Sequence, residues 1–329
     1  MTGRTIIPVS VSASTSDMTT RKILLHGSLF LATLFTTTGA GVLWLNKDPF
    51  ELSALGAGLP YALSLLFILT THEMGHYLAA RYHGVDATLP FYIPIPVQLW
   101  VLNPFGTMGA VIRTRSVIPT RKALFDIGVY GPIAGFVASL IVLVYGLTHL
   151  PPKEFITAIH PDYFLKTPDG SGMTFGSSLL YEVLSFVLPD RANEFIPPMN
   201  EIYHYPYLCA GWFGMFVTAL NLIPIGQSDG GHISYAMFGK KSERITFVAL
   251  VVFAVLGTLP VLEFIGISVG FGSLLWILWP LVMFGLNRGQ LSHPEIDDET
   301  PVDGTRMVIG YFALVIFILC FMPTPISGI

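Results

Sequence analysis

Residues 55–80, LGAGLPYALSLLFILTTHEMGHYLAA, form an apolar stretch that ends in two histidines and a glutamate. A helix needs roughly 20 mostly apolar residues to span the hydrocarbon core of a bilayer. The stretch meets that length, and ionisable side chains inside such a span are costly unless they have a function. It therefore predicts a membrane-spanning helix that carries His72, Glu73 and His76 as functional groups.

The composition of the whole chain favours the same surroundings. Among 329 residues, 52% are hydrophobic and only 12% are charged, whereas a soluble domain carries roughly 25% charged residues. The net charge of −4 argues against a nucleic-acid partner, which would require a basic surface. We therefore expect an integral multi-pass membrane protein that has the lipid bilayer around it and no nucleic-acid partner.

Apolar stretches that are long enough, or nearly long enough, to span a bilayer recur along the chain. They comprise residues 23–45, 55–80, 123–148, 205–223, 245–262, 267–286 and 307–323. The predicted fold is thus all-α and polytopic, with about seven transmembrane helices. Residues 55–235 are expected to form the core, followed by a kinked pair of helices in 245–286 and a last helix.

The distribution of basic residues predicts the orientation. Residues 1–22 are polar and end in Arg21 and Lys22. A cleaved signal peptide would have an apolar core of 7–15 residues, whereas the run at 23–45 has about 23, so we expect a retained first helix. With a cytoplasmic N-terminus and alternating helices, 13 of the 17 lysines and arginines lie on the cytoplasmic side, as the positive-inside rule requires.

Two long segments connect the predicted helices. Residues 149–204 are expected to be an extracytoplasmic loop with a short amphipathic helix near 176–188. Residues 84–121 lie on the cytoplasmic side, are apolar and contain five prolines. Because proline breaks helices and is tolerated at sheet edges, this segment predicts a short re-entrant, β-hairpin-like structure buried against protein or lining a cavity.

The histidines of HEMGH are spaced for metal binding. Residues i and i+4 lie on one face of a helix, so His72 and His76 can share one Zn²⁺ at about 2.0–2.1 Å. Glu73 between them can take a proton from the attacking water. A catalytic zinc usually has three protein ligands, so a third ligand is expected from another helix.

Residues 221–232, NLIPIGQSDGGH, offer that third ligand. The charge distribution places Asp229 at the same cytoplasmic level as HEMGH. Asp229 is preferred, partly on the family resemblance that follows, and His232 is an alternative ligand or an outer partner. Pro224 and Gly230 predict an irregular backbone, which is tolerated at membrane depth only beside a protein cavity. Asn221 has two open roles, donation to an oxyanion or a hydrogen bond between helices.

The two motifs together, HExxH and a later N-x-x-P-x-x-x-x-D-G, resemble those of the site-2 protease family of intramembrane zinc metalloproteases. The matching positions are His72, Glu73, His76, Asn221, Pro224, Asp229 and Gly230. The resemblance covers about residues 55–235. It implies that His72, His76 and Asp229 hold one catalytic Zn²⁺ and that Glu73 is the general base.

Two further segments resemble the family. One resembles its glycine-containing strand and implies a substrate-binding role for Gly106, Thr107, Met108, Gly109 and Ala110. The other, GPIAG at 131–135, resembles a family helix motif, and its small residues Gly131 and Gly135 predict close helix packing. Many members carry a PDZ domain in an extracytoplasmic loop, and residues 149–204 are too short to suggest one here.

The expected function is intramembrane endoproteolysis of transmembrane segments of membrane proteins, in regulated proteolysis or in clearance of membrane stubs. The substrate would unwind locally and pair with the strand-like segment at 89–114. The alternative is a catalytically silent protein of the same fold that binds membrane helices. A prenyl-protein protease is disfavoured because Glu243 and Glu263 lack its ligand motif, and a transporter because no inverted repeat is present. No oligomeric state is predicted.

Overall fold

The computed structural model describes residues 20–99, 103–164, 172–189, 194–267, 269–296, 298 and 300–328. Most of the predicted polar N-terminus, residues 1–19, lies outside these ranges. The helices are α1 (Thr20–Trp44), α2 (Leu55–Tyr82), α3 (Arg121–Thr148), α4 (Glu154–Ile159), α5 (Leu179–Val187), α6 (Pro206–Leu222), α7 (Asp229–Phe238), α8 (Ser242–Thr258), α9 (Leu275–Leu286) and α10 (Gly304–Cys320). The strands are β1 (Phe91–Pro94), β2 (Thr107–Val111), β3 (Thr174–Phe175) and β4 (Ile326–Ser327).

The mostly helical, polytopic architecture agrees with the sequence prediction. Among the described residues, four helical stretches are long and apolar enough to cross a membrane, and they comprise Thr20–Trp44, Leu52–Tyr82, Arg121–Thr148 and Asp229–Leu262. The shorter apolar helices α6, α9 and α10 have 17, 12 and 17 residues. The structure therefore supports a multi-pass membrane protein, while the count of seven spans stays a prediction.

The prediction of a helix at 267–286 was wrong for its first part. Residues 269–274 are not helical, and Gly270 and Gly272 adopt positive φ angles of 60° and 105°. The α8 helix likewise ends at Thr258, and a 3-10 turn over Leu259–Ile265 continues the chain. Pro260 lies in that turn, where its missing N–H removes a helical hydrogen bond. Hydropathy alone could not distinguish these apolar turns from helix.

The strand-like character of residues 84–121 appears as an antiparallel pair. In β1 and β2, Phe91 lies opposite Val111 and Tyr92 opposite Ala110. The Tyr92 hydroxyl lies 2.8 Å from the Thr70 hydroxyl on α2 and is hydrogen-bonded to it. The pair is thereby fixed against the helix that carries HEMGH, and its re-entry into the membrane stays a prediction. The short β3–β4 pair was not predicted.

Helices α2, α3 and α6 form the centre of the core. Small residues let them approach closely: a Cβ added at Gly211 would lie 2.5 Å from Leu143, and one at Gly214 would lie 2.2 Å from Ser139. Trp212 is completely buried between these two glycines. The packing brings the HEMGH turn of α2, the glycines of α3 and the end of α6 to one level.

A buried ionic cluster fixes α10 and the end of α2 to α3. The guanidinium of Arg306 donates to both carboxylate oxygens of Asp126, at 2.9 and 2.5 Å. The Nε2 atom of His83 lies 2.7 Å from the same carboxylate. Because Asp126 is only 4% exposed, these partners supply the hydrogen bonds that a buried carboxylate needs.

Both ends of α7, a helix that the sequence did not predict, are capped. At its start, Ser228 Oγ accepts from the backbone N–H of Gly231 at 3.1 Å and donates to the carbonyl of Ile223. At its end, the guanidinium of Arg121 donates to the Ala236 carbonyl at 2.6 Å. Arg121 is itself buried, and its hydrogen bond helps to position α7.

Candidate metal centre

Three side chains from two helices converge at one point. The Nε2 atoms of His72 and His76 lie 3.0 Å apart. The Oδ2 atom of Asp229 lies 3.5 Å from the first and 3.4 Å from the second. Ligands at about 2.0–2.1 Å from a tetrahedral zinc are about 3.3 Å from one another, so this donor set fits Zn²⁺.

The ring of His76 is oriented for metal binding. Its Nδ1 atom lies 2.6 Å from the carbonyl oxygen of Ile127 on α3. A carbonyl oxygen can only accept, so Nδ1 carries the proton and Nε2 presents a lone pair to His72 and Asp229. Such a backbone partner is typical of histidines that bind metals, because it fixes both the tautomer and the ring plane.

Glycines on α3 make room for the two imidazoles. A Cβ added at Gly131 would lie 2.1 Å from His76 Nε2, and one at Gly135 would lie 2.8 Å from His72 Nδ1. The sequence predicted these two residues as helix-packing positions. The structure adds that the groups packed against them belong to the metal centre, so neither position tolerates a side chain without moving a ligand.

Asp229 lies at the first turn of α7, directly after an irregular connection from α6. The Pro224 carbonyl accepts a hydrogen bond from the Thr246 hydroxyl at 2.8 Å, which satisfies one backbone group of this connection. At Gly230 an added Cβ would lie 2.1 Å from the Leu222 carbonyl oxygen. This close approach folds α7 back over the end of α6 and brings Asp229 to the histidines.

The other polar residues predicted for the site lie around it. The amide nitrogen of Asn221 lies 3.2 Å from His72 Nε2 and is directed at the edge of the group. His232, the alternative ligand, instead lies with its Nδ1 2.8 Å from His293 Nε2. The structure thus groups Asp229, rather than His232, with the histidine pair.

Glu73 connects the metal centre to the strand pair. Its side chain is 8% exposed, and its Oε2 atom accepts from the backbone N–H of Ile112 at 2.8 Å. Ile112 follows β2 directly, so the strand ends beside the glutamate. The sequence did not identify this contact, because the donor is a backbone group and carries no residue-type signal.

The five predicted substrate-binding residues have different surroundings. Gly106 packs against α1, where an added Cβ would lie 2.6 Å from the Thr36 carbonyl oxygen. Thr107 donates to the Ile93 carbonyl and so supports the hairpin. Met108 is 69% exposed, whereas Ala110 is buried. Gly109 lies between them and adopts a positive φ of 100°. The hydrogen bond to Glu73 comes from Ile112, two residues beyond this segment.

The contact at Gly131 generates a test. Gly131→Ala is expected to displace the His76 ring, so that one of the three ligands is poorly placed. Zinc affinity should then fall by at least about tenfold, which corresponds to a loss of roughly 1.4 kcal/mol in binding free energy. Zinc titration of the purified protein measures this. Gly56→Ala on α2, where an added Cβ meets nothing within 4 Å, is the control and should bind zinc normally. Equal affinity in both variants would contradict the packing role.

Curated proteins that are similar to this chain are named as probable zinc metalloproteases. Among curated proteins, the chain is 27% identical to a probable chloroplastic zinc metalloprotease EGY2 of Arabidopsis thaliana, over 92% of this chain and 49% of that protein. It is 30% identical to the probable zinc metalloprotease EGY1 of the same plant, over 81% and 43%, and 31% identical to the EGY1 protein of Oryza sativa subsp. japonica, over 81% and 41%.

The chain thus spans about half the length, or less, of the curated relatives it matches. No solved structure matches it. The profile of peptidase family M50 matches residues 60–260, a range that contains HEMGH, both α3 glycines and Asp229. The chain therefore belongs to peptidase family M50, the family of the site-2 proteases.

Proposed function

We propose that this protein is an intramembrane zinc endopeptidase that cleaves transmembrane segments of membrane proteins. The observation that carries the proposal is the convergence of His72, His76 and Asp229, with Glu73 on the same helical turn as the first histidine. Ionisable groups at membrane depth are expensive and mark function. The names of the relatives, probable zinc metalloproteases, support the same reaction class.

The residues around the trio of His72, His76 and Asp229 have separate roles in the proposed hydrolysis. When bound, Zn²⁺ polarises the peptide carbonyl and makes the attacking water more acidic. Glu73 takes the proton from that water through Oε1, since Ile112 N–H holds Oε2 in place. The same carboxyl then delivers the proton to the leaving amine, as a general acid–base group does in both half-steps.

Asn221 is placed to stabilise the oxyanion that forms in this reaction. Its amide nitrogen is directed at the edge of the metal centre, 3.2 Å from a ligand nitrogen. A preorganised donor near developing negative charge is one of the largest single contributions to catalysis. The competing role is a hydrogen bond that only joins α6 to α2.

The strand pair offers an edge for the unwound substrate. Backbone groups along a strand point alternately to its two sides. Ile112 N–H is directed at Glu73, so Ala110, two residues earlier, faces the same side, whereas β1 occupies the other edge. An extended substrate segment added to the free edge would have its carbonyl groups close to the general base.

The membrane topology completes the proposal. Both HEMGH and Asp229 fall at the helix ends that the lysine and arginine distribution assigns to the cytoplasm. Water would then reach the metal centre from the cytoplasmic side, and the N-terminus would lie on that side as well. The substrate partner is a membrane protein whose transmembrane helix is locally unwound before cleavage.

The central test distinguishes the role of Glu73 as general base from a role in zinc binding. Glu73→Gln is expected to keep bound zinc and to lower the cleavage rate by about 10²–10⁴-fold, the usual contribution of a general base. Zinc content and cleavage of a transmembrane substrate in detergent or liposomes are measured together. Glu243→Gln, at an exposed position on α8, is the control. Full activity of the Glu73 variant would rule out this glutamate as the general base. A wild type that binds zinc but cleaves no substrate would instead favour the catalytically silent helix-binding protein.

A second test distinguishes the two roles of Asn221. Asn221→Leu is nearly isosteric and is expected to lower kcat by about 10²–10³-fold, with zinc content, KM and the unfolding midpoint close to the wild-type values. A variant that instead keeps its kcat but unfolds at a lower temperature would assign the amide to helix packing.

A third test concerns the strand edge. Ala110→Pro removes the backbone N–H on the free side of β2, a position at which edge strands tolerate proline. The KM for a transmembrane substrate is expected to rise by at least about tenfold, since one lost hydrogen bond contributes roughly 1.4 kcal/mol, with zinc content unchanged. Val117→Pro, at an exposed position in a loop, serves as the control and should leave KM unchanged. An unchanged KM in the Ala110 variant would rule out pairing at this edge.

A further inference from the structure

A second group of metal-ligand side chains lies at the opposite end of the helices. His160 directly follows α4, while Glu201 and His204 flank the 3-10 turn that leads into α6. The Nε2 atoms of the two histidines are 2.9 Å apart. The Oε2 atom of Glu201 lies 3.5 Å from that of His160 and 3.6 Å from that of His204.

This group repeats the geometry of the metal centre. In both, two imidazole Nε2 atoms lie about 3 Å apart, and one carboxylate oxygen lies 3.4–3.6 Å from each. These separations are close to the roughly 3.3 Å between ligands of a tetrahedral zinc. Two histidines and one carboxylate are also a ligand set that zinc enzymes use.

One oxygen of the Glu201 carboxylate lacks the partner that its burial demands, while the other, Oε1, accepts from the side-chain amide of Asn200 at 3.4 Å. The residue is 6% exposed, and within the described part of the chain its Oε2 atom accepts no hydrogen bond. A buried carboxylate oxygen that is not hydrogen-bonded is costly. A cation between Glu201 and the two imidazoles would supply the missing interaction.

His204 is oriented in the same manner as His76. It is 2% exposed, and its Nδ1 atom donates to the carbonyl oxygen of Trp44 at the end of α1. Its Nε2 atom therefore presents a lone pair to His160 and Glu201. The backbone N–H of His204 donates to the Glu201 carbonyl at 3.0 Å, which holds both side chains on one turn.

We propose that His160, Glu201 and His204 bind a second divalent transition-metal ion, with Zn²⁺ the ion that this donor set fits. His160, whose side chain is 37% exposed, leaves an entry path and a place for a water ligand. Asn221 is 17 residues after His204, and most of these residues lie in α6, so at 1.5 Å per residue the ion is roughly 25 Å from Asn221. The ion therefore takes no part in the proposed hydrolysis and instead ties α4 to the start of α6.

The competing explanation is a metal-free pair in which one imidazole donates to the other. That arrangement would account for the short distance between His160 and His204 but would leave Glu201 Oε2 without a partner. Counting bound ions distinguishes the two directly.

The experiment uses the full chain, purified in detergent, saturated with Zn²⁺ and dialysed, with zinc per chain measured by elemental analysis. The wild type should hold two ions, and His160→Gln should hold one. His160→Glu is isosteric with that variant but restores a ligand oxygen at similar reach, so it should again hold two. His149→Gln removes an exposed histidine at the same end of the molecule and should leave both ions bound.

A background that lacks the first site isolates the second. In His72→Gln, Co²⁺ should still give visible d–d absorption bands and raise the unfolding midpoint. Both effects should disappear in His72→Gln/His160→Gln. Equal zinc content in the wild type and His160→Gln, or a His72→Gln variant that binds neither ion, would overturn the second site. Loss of one ion in His160→Gln, with none lost in His72→Gln, would contradict the proposed hydrolytic centre alone.

Discussion

The contact between α3 and the imidazoles of α2 is the constraint on which the rest of the structure depends. Polar rings at membrane depth are stable only if neighbouring helices surround and hydrogen-bond them. Gly131 and Gly135 let α3 approach until its backbone meets the rings, and Ile127 supplies the acceptor for His76. With larger residues on α3, the helices would separate and both ring orientations would be lost.

That constraint explains the irregular path between α6 and α7. A third ligand must reach a centre that two long helices already enclose, so the chain has to turn sharply inside the protein. Pro224 and Gly230 permit the turn, and Ser228 and Arg121 cap the short helix that follows. Backbone groups at both ends of this turn and of α7 thereby acquire partners, as burial requires, and these contacts help to position Asp229.

The sequence predicted what is local and missed what tertiary structure creates. The geometry of HEMGH can be predicted from its sequence, because i,i+4 spacing on a helix is enough to pair two histidines. Asp229 could be chosen because a motif surrounded it. His160 and Glu201 are 41 positions apart with no motif between them, so only the folded chain brings them together. The turn at 269–274 was misjudged for a related reason, since its apolar residues look like a helix to hydropathy.

The two trios show why similar donor sets lead to different chemistry. In the first, Asp229 is the proposed metal ligand, and a second carboxylate, that of Glu73, belongs to the residue after His72 and accepts from a backbone N–H at the end of a strand. In the proposed reaction, the edge of that strand would bring substrate to this carboxylate. In the second, Glu201 is itself the proposed ligand and lies on a turn that closes a connection between helices. A base beside the ligands, rather than the ligands themselves, is what makes the first site suited to hydrolysis and the second to holding the fold together.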